Sequence, residues 1–328
     1  MSLSAPLQAN ETVNIYSYRQ AQLIQPLLTR FEEKTGIQTQ VTTANAGLIE
    51  RIEREGRNTP ADILLTADIA PLVDAKRMGI LSEVNSRMVR RNVAKEYRDE
   101  DNYWVGLTRR ARFIFAAKGS EAARQVSRYE DLADPAWKGQ ICMRSGKNSY
   151  NLSLFASMIA QNGEQATEAW LTAVKDNLAR RPQGNDTSQF LAVANGECTL
   201  TIGNSYYFAQ MSDFRSPEAH QYAAQNVAVI APNQSDRGTH VNISGAAITK
   251  HAKNPEGAKK LIEYLLSEEA QNLYAEINLE FPVRKDIVAT RALRDMFPSF
   301  EPDNTPLSEI GALRGQASRL VDKVRFDQ

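Results

Sequence analysis

Apolar residues recur along the chain in two alternating rhythms. Val13-Asn14-Ile15-Tyr16 reads as a short strand. Leu23, Ile24, Leu27, Leu28 and Phe31 then fall on one face of a helix from Ala21 to Thr35, closed by Gly36. Ile37 to Thr42 is extended again, and Leu48 to Arg54 carries Ile49 and Ile52 at helical spacing. Ala61 to Leu65 reads as a buried strand, and a helix from about Ala70 stops at Gly79. This βαβα alternation predicts an α/β fold whose parallel sheet has helices on both faces.

A second unit starts after about Gly106. Arg112–Ala116 and Gly139–Met143 read as strands, as do Cys198–Ile202 and Asn226–Ile230. Leu152, Leu154, Phe155, Met158 and Ile159 mark one helix, and Ala166, Trp170 and Val174 another. Phe190, Leu191 and Ala194 mark a third, ended by Gly196. Asn254-Pro255-Glu256 opens a further helix with proline at its first position, and Leu261, Ile262, Leu265 and Leu266 form its apolar face. No repeat or low-complexity linker separates the units, which predicts strands crossing directly between them.

Composition narrows the function classes. The 328 residues fit about two domains. Lys+Arg and Asp+Glu both number 39, and this zero net charge argues against the dense basic face that nucleic-acid binding needs. No apolar run approaches the roughly 18–20 residues of a membrane helix. Cys142 and Cys198 have no CxxC spacing, so one disulfide and two buried thiols both stay open. His220, His240 and His251 form no metal-ligating pattern and read as surface or loop residues. The polar start MSLSAPLQANETVN lacks an apolar signal core. It suits a cytosolic chain, or a mature one whose export signal is replaced by a short cloning start.

Candidate chemistry gathers at three strand-to-helix turns, where open α/β sheets place ligands. Ser17-Tyr18-Arg19-Gln20 opens the first helix, and an arginine beside free backbone N–H groups suits a small anion; an ordinary surface arginine fits the same string. Arg144-Ser145-Gly146-Lys147-Asn148-Ser149-Tyr150 lacks the spacing of a phosphate loop. Gly203-Asn204-Ser205-Tyr206-Tyr207 puts two phenols at a helix start, about 100° apart, with Tyr150 as a third. A phenol ionises near pH 10, so only a strong cation such as Fe(III) displaces its proton at neutral pH. Three tyrosines near loops equally suit stacking on a sugar.

The order of these strings resembles the periplasmic ferric-ion-binding proteins of bacterial iron ABC transporters, over nearly the whole chain. The markers are NIYSYRQ (14–20), PADILLTADIAPL (60–72), GLTRRARFIF (106–115), RSGKNSYN (144–151), RPQGNDTSQ (181–189), GNSYYFAQM (203–211), RGTHVNISG (237–245) and NPEGAKKLIEYLLSEEAQ (254–271). The resemblance implies a two-lobed class II periplasmic binding-protein fold with a ligand cleft between lobes. It implies one lobe of 1–106 and 236–284 and another of 107–235 and 285–328, hinged near 106–110 and 228–236. Tyr150, Tyr206 and Tyr207 match the family's iron-binding tyrosines. Some members add a histidine and a tyrosine after the first-helix arginine, where this chain has Gln20 and Ala21. It is therefore similar to the subgroup with three tyrosines and a bound carbonate or bicarbonate. Arg19 would hold that synergistic anion with Gln20 as a further contact, and Arg110 would stabilise the tyrosinates.

The implied role is capture of Fe(III), not catalysis, by a periplasmic monomer serving an inner-membrane permease and its ATPase, without nucleic acid. In that compartment a Cys142–Cys198 disulfide would be permitted. A binding protein of the same fold for phosphate or thiosulfate, using Arg19, Lys147 and Arg110, is the alternative. An enzyme ranks last, since no nucleophile elbow or dinucleotide fingerprint is present.

Overall fold

The computed structural model describes residues 12–328. Most of the polar amino-terminal stretch read for an export signal lies outside them. The strands that build the sheets include β1 (Thr12–Ser17), β2 (Gln38–Thr43), β3 (Ile63–Thr66), β4 (Leu81–Ser82), β5 (Val105–Ala117), β6 (Ile141–Cys142), β7 (Leu200–Asn204), β8 (Val227–Ile230) and β9 (Val241–Thr249). The chain divides into two compact units. The first takes the chain up to Thr108 with Ile243–Ile277 and Pro282–Val288; the second takes Arg109–Asn242, Asn278–Phe281 and Ala289–Gln328.

In the first unit β1 runs parallel to both β2 and β3, with Ile15 opposite Val41 and Ile63. β3 pairs antiparallel with β9, as does β4. The sheet is therefore mixed, not the wholly parallel one expected. β9 arrives from far along the chain without the helical crossover that makes a neighbour parallel. The helix Ala21–Thr35 buries Ile24, Leu27, Leu28 and Phe31 and ends at Gly36, whose left-handed φ of 72° lets its N–H reach the Glu32 carbonyl.

In the second unit β5 pairs antiparallel with β7, Phe113 opposite Gly203, and also with β8, while β6 lies parallel to β7. The Phe115 ring stands 4.4 Å from Phe190 and 4.8 Å from Phe208. A Cβ on Gly203 would approach the Phe190 ring to 2.4 Å, so only glycine lets β7 pass this aromatic cluster. The helix Leu307–Lys323 packs on the helix Ser149–Asn162, and the fully buried Phe326 ring lies 6.0 Å from Phe155. Cys142 and Cys198 are joined in a disulfide across 5.8 Å between Cα atoms, which resolves the choice left open by the sequence. Cys198 precedes β7 instead of opening it.

The layout adds detail that the sequence pattern did not give. The long strand β9 was not foreseen, because Asn242, Ser244, Gly245 and Thr249 break its apolar pattern although every residue is buried. The compact units divide at 108/109, inside β5 and within the expected 106–110, and again at 242/243, inside β9. β8 pairs with β5 inside the second unit, and Thr239 is held there by the Glu301 and Pro232 carbonyls. Residues 236–242 and 278–281 group with the second unit, and 107–108 and 285–288 with the first.

Candidate metal centre

Two turns of the second unit carry the phenols. Tyr150 sits in the first turn of the helix Ser149–Asn162, whose cap is the Asn148 side chain accepting from the Tyr150 N–H at 3.0 Å. Tyr206 and Tyr207 open the helix Ser205–Met211 directly after β7, anchored by the buried Ser205 and Phe208 on either side. The Tyr206 hydroxyl donates to the Tyr150 hydroxyl oxygen at 3.0 Å. The Tyr206 and Tyr207 rings are 4.2 Å apart, and Tyr207 lies 6.4 Å from Tyr150. All three are partly exposed, so the predicted trio is one cluster reachable from solvent.

Arginines surround it. Arg110 and Arg112, two apart on β5, share one face of the strand and are both buried. The Arg110 guanidinium carbon is 5.5 Å from the Tyr150 ring centre and that of Arg144 is 5.3 Å from it. Arg112 and Arg144 both pair with the fully buried Asp186. Sequence reasoning gave no role to Arg112, Arg144 or Asp186. The available signal was the cluster Arg109, Arg110 and Arg112 within a strand whose other residues are mostly apolar, since an arginine buried there demands an acid as partner.

Burial pushes the Tyr206 hydroxyl well above its ordinary value of 10, Tyr150 and Tyr207 add to the effect, and Arg110 opposes it. Burial also raises Tyr207, with Tyr150 and Asp186 adding. These two phenols are neutral at pH 7, and a cation that binds them must displace their protons. Their oxygens are hard donors, suited to a hard cation. Among the described residues no group of three or more His, Cys, Asp and Glu side chains could hold a metal.

The anion candidates belong to the first unit. Arg19 is 5% exposed, unlike a surface arginine; its guanidinium donates to the Ser244 hydroxyl and stands 5.8 Å from the Tyr274 ring centre. The backbone N–H of Arg19 donates to the Ser17 hydroxyl at 3.0 Å. Tyr18 fixes the turn from the other side. Its phenol oxygen accepts from the N–H groups of Leu48 and Ile49 at 2.9 and 3.1 Å, capping a helix whose own N-cap, Gly47, has no side chain to offer. Gln20 is exposed, and its side-chain oxygen accepts from Gln22 at 2.7 Å.

Two further readings change. Lys147 turns its ammonium to Asp322 at 2.6 Å and to the Ser318 carbonyl at 2.9 Å, where it serves the loop and not an anion. That loop is also pinned by the Asp327 carboxylate, which accepts from the Ser145 hydroxyl and the Gly146 N–H, each at 2.7 Å. His240, read as surface or loop, does lie in the loop before β9 but is buried, 1% exposed, and meets Ser153 at 3.0 Å.

Comparison with known proteins places the chain by sequence and fold. The sequence pattern of the bacterial extracellular solute-binding proteins matches residues 58–305. Iron uptake protein A1 of Synechocystis sp. is 41% identical over 314 residues, covering 95% of this chain and 87% of that protein. The crystal structure of Pasteurella haemolytica apo ferric ion-binding protein A has a TM-score of 0.89 at 42% identity, covering 98% of this chain and 99% of that one. The Trichodesmium IdiA/FutA protein, solved with iron and citrate ligands, has a TM-score of 0.89 at 40% identity, covering 95% and 99%. The mixed α/β fold described above is the two-lobed class II fold of these binding proteins. On sequence and fold together, the chain belongs to the bacterial extracellular solute-binding protein family.

Proposed function

We propose that this protein captures Fe(III) for uptake, with Tyr150, Tyr206 and Tyr207 as ligands and a carbonate or bicarbonate anion completing the shell. The observation that carries this reading is the convergence of the three phenols, with the Tyr206 and Tyr150 oxygens 3.0 Å apart. Fe(III) with three phenolates is neutral, and a doubly charged carbonate is then offset by Arg19 and Arg110. Arg19 anchors the anion and Gln20 adds a contact. Relatives named for iron uptake and ferric-iron binding support the cargo. The iron-and-citrate complex of the Trichodesmium protein makes citrate a competing anion to test against carbonate.

The protein acts in the periplasm, as a monomer, and hands the ion to an inner-membrane ABC transporter permease with its ATPase. A disulfide between Cys142 and Cys198 suits an oxidising compartment. No helix among the described residues is long and apolar enough to cross a membrane.

Ferric citrate added with bicarbonate should give a visible phenolate-to-iron charge-transfer band. The band should be lost or strongly weakened in Tyr206→Phe and Tyr207→Phe; an unchanged band in both would end the tyrosinate assignment. Calorimetry with phosphate or thiosulfate in metal-free buffer tests the alternative, since tight binding there would favour an anion as the cargo.

A further inference from the structure

An ion pair lies beneath the tyrosines, buried on both sides. Arg112 is 2% exposed and Asp186 0%, and they meet at 3.1 Å from positions far apart in sequence. Such a pair adds little net stability over well-packed apolar residues, so its hydrogen bonds are the place to look for its purpose. The Arg112 fork reaches three ways. One nitrogen donates to Asp186 at 3.1 Å and to the Asn204 side-chain oxygen at 3.0 Å; the other donates to the Asn151 side-chain oxygen at 2.5 Å.

Asn151 directly follows Tyr150, and Asn204 stands two residues before Tyr206. The Asp186 carboxylate closes the frame. It accepts the Asn204 N–H at 2.8 Å and the Arg144 guanidinium at 3.0 Å, and Arg144 lies over the Tyr150 ring. Asn151 in turn donates to the Arg144 and Ser145 carbonyls at 3.2 and 3.0 Å. Both tyrosine turns, and the arginine beside them, hang on one pair.

We infer that Arg112 and Asp186 are positioning residues of the ferric site, fixing the spacing of its phenol oxygens before the ion arrives. This rests on the ferric reading above. A planar, forked cation serves three acceptors in a fixed geometry, which a lysine ammonium on a flexible stem does not reproduce. Partners behind metal ligands orient them and tune the metal in this way.

Arg112→Lys keeps the charge and loses the fork; Asn204→Ala removes one strut and leaves the ion pair intact. Leu171→Ala, a fully buried site in the helix Glu164–Asp176, serves as a destabilised control whose apolar side chain takes no part in these hydrogen bonds. Each is melted metal-free, titrated with Fe(III) and bicarbonate, and competed with citrate. Arg112→Lys and Asn204→Ala should melt cooperatively, bind Fe(III) roughly 10–100-fold more weakly and show a displaced charge-transfer band. Leu171→Ala should keep the native band and affinity. The inference is overturned by native band and affinity in Asn204→Ala and Arg112→Lys, or by an equal loss in Leu171→Ala. If Arg112→Lys does not fold, Asn204→Ala decides alone. A native protein without any such band overturns the ferric reading itself, and the inference with it.

Discussion

Burying an imidazole beside Ser153 makes acid the weak side of the metal-free protein. Burial lowers His240 from 6.5 to about 3. The unfolded chain therefore gains a proton that the folded one refuses, and stability present above about pH 6.5 is lost as pH falls toward about 3. Urea midpoints should decline across that window, and His240→Gln should flatten the decline. Tyr18 offers a second residue-scale test. Tyr18→Phe leaves the N–H groups of Leu48 and Ile49 without their acceptor and should cost about 1 kcal/mol in urea unfolding, with weaker anion binding if the Arg19 turn loosens. The three tyrosines were legible because their strings, RSGKNSYN and GNSYYFAQM, stand at strand-to-helix turns. Arg112 and Asp186 were not, because each is defined by the other, and sequence carries no sign of which distant residue will meet a buried charge.

Elements with a clear period were read closely, and those without one were missed. The helix Ala21–Thr35 shows its apolar face and its glycine stop in the sequence and was bounded to the residue. β9 has no alternation because all of its residues are enclosed, and a strand buried on both faces looks like nothing in particular when small polar residues interrupt it. β7 is the element on which the tyrosine turn depends most. Gly203→Ala would press a methyl group into the Phe190 ring, and overpacking of this kind should cost about 1–3 kcal/mol and weaken Fe(III) binding by shifting the turn that follows. The disulfide ties β6 to the approach of β7 across a sequence separation of 56. Replacing both cysteines by alanine should remove about 4 kcal/mol of unfolding free energy by loop-entropy reasoning, read as a lower urea midpoint that no longer responds to reductant.

For the molecule as a whole, zero net charge hides an uneven interior. Arg110, Arg112 and Arg144 stand near the phenols against one buried acid, Asp186. That excess of positive charge is suited to phenolates that form only when the ion arrives. Because the Tyr206 and Tyr207 protons are held above their ordinary range, acid competes with the ion. Apparent Fe(III) affinity should fall with pH by up to roughly three log units per pH unit, one for each phenol deprotonated, as followed by citrate competition between pH 8 and pH 5 on the order of single-unit steps. The two-unit division was visible in the sequence, and its first seam, at 108/109, falls inside the expected 106–110; the seam at 242/243 lies inside β9, a strand the sequence pattern did not reveal. The grip of Asp327 on Ser145 and Gly146 has a practical side for anyone handling the protein. An affinity tag fused after Gln328 would be attached one residue from the carboxylate that steadies the Tyr150 turn, so iron-binding measurements are better made with the handle at the opposite end.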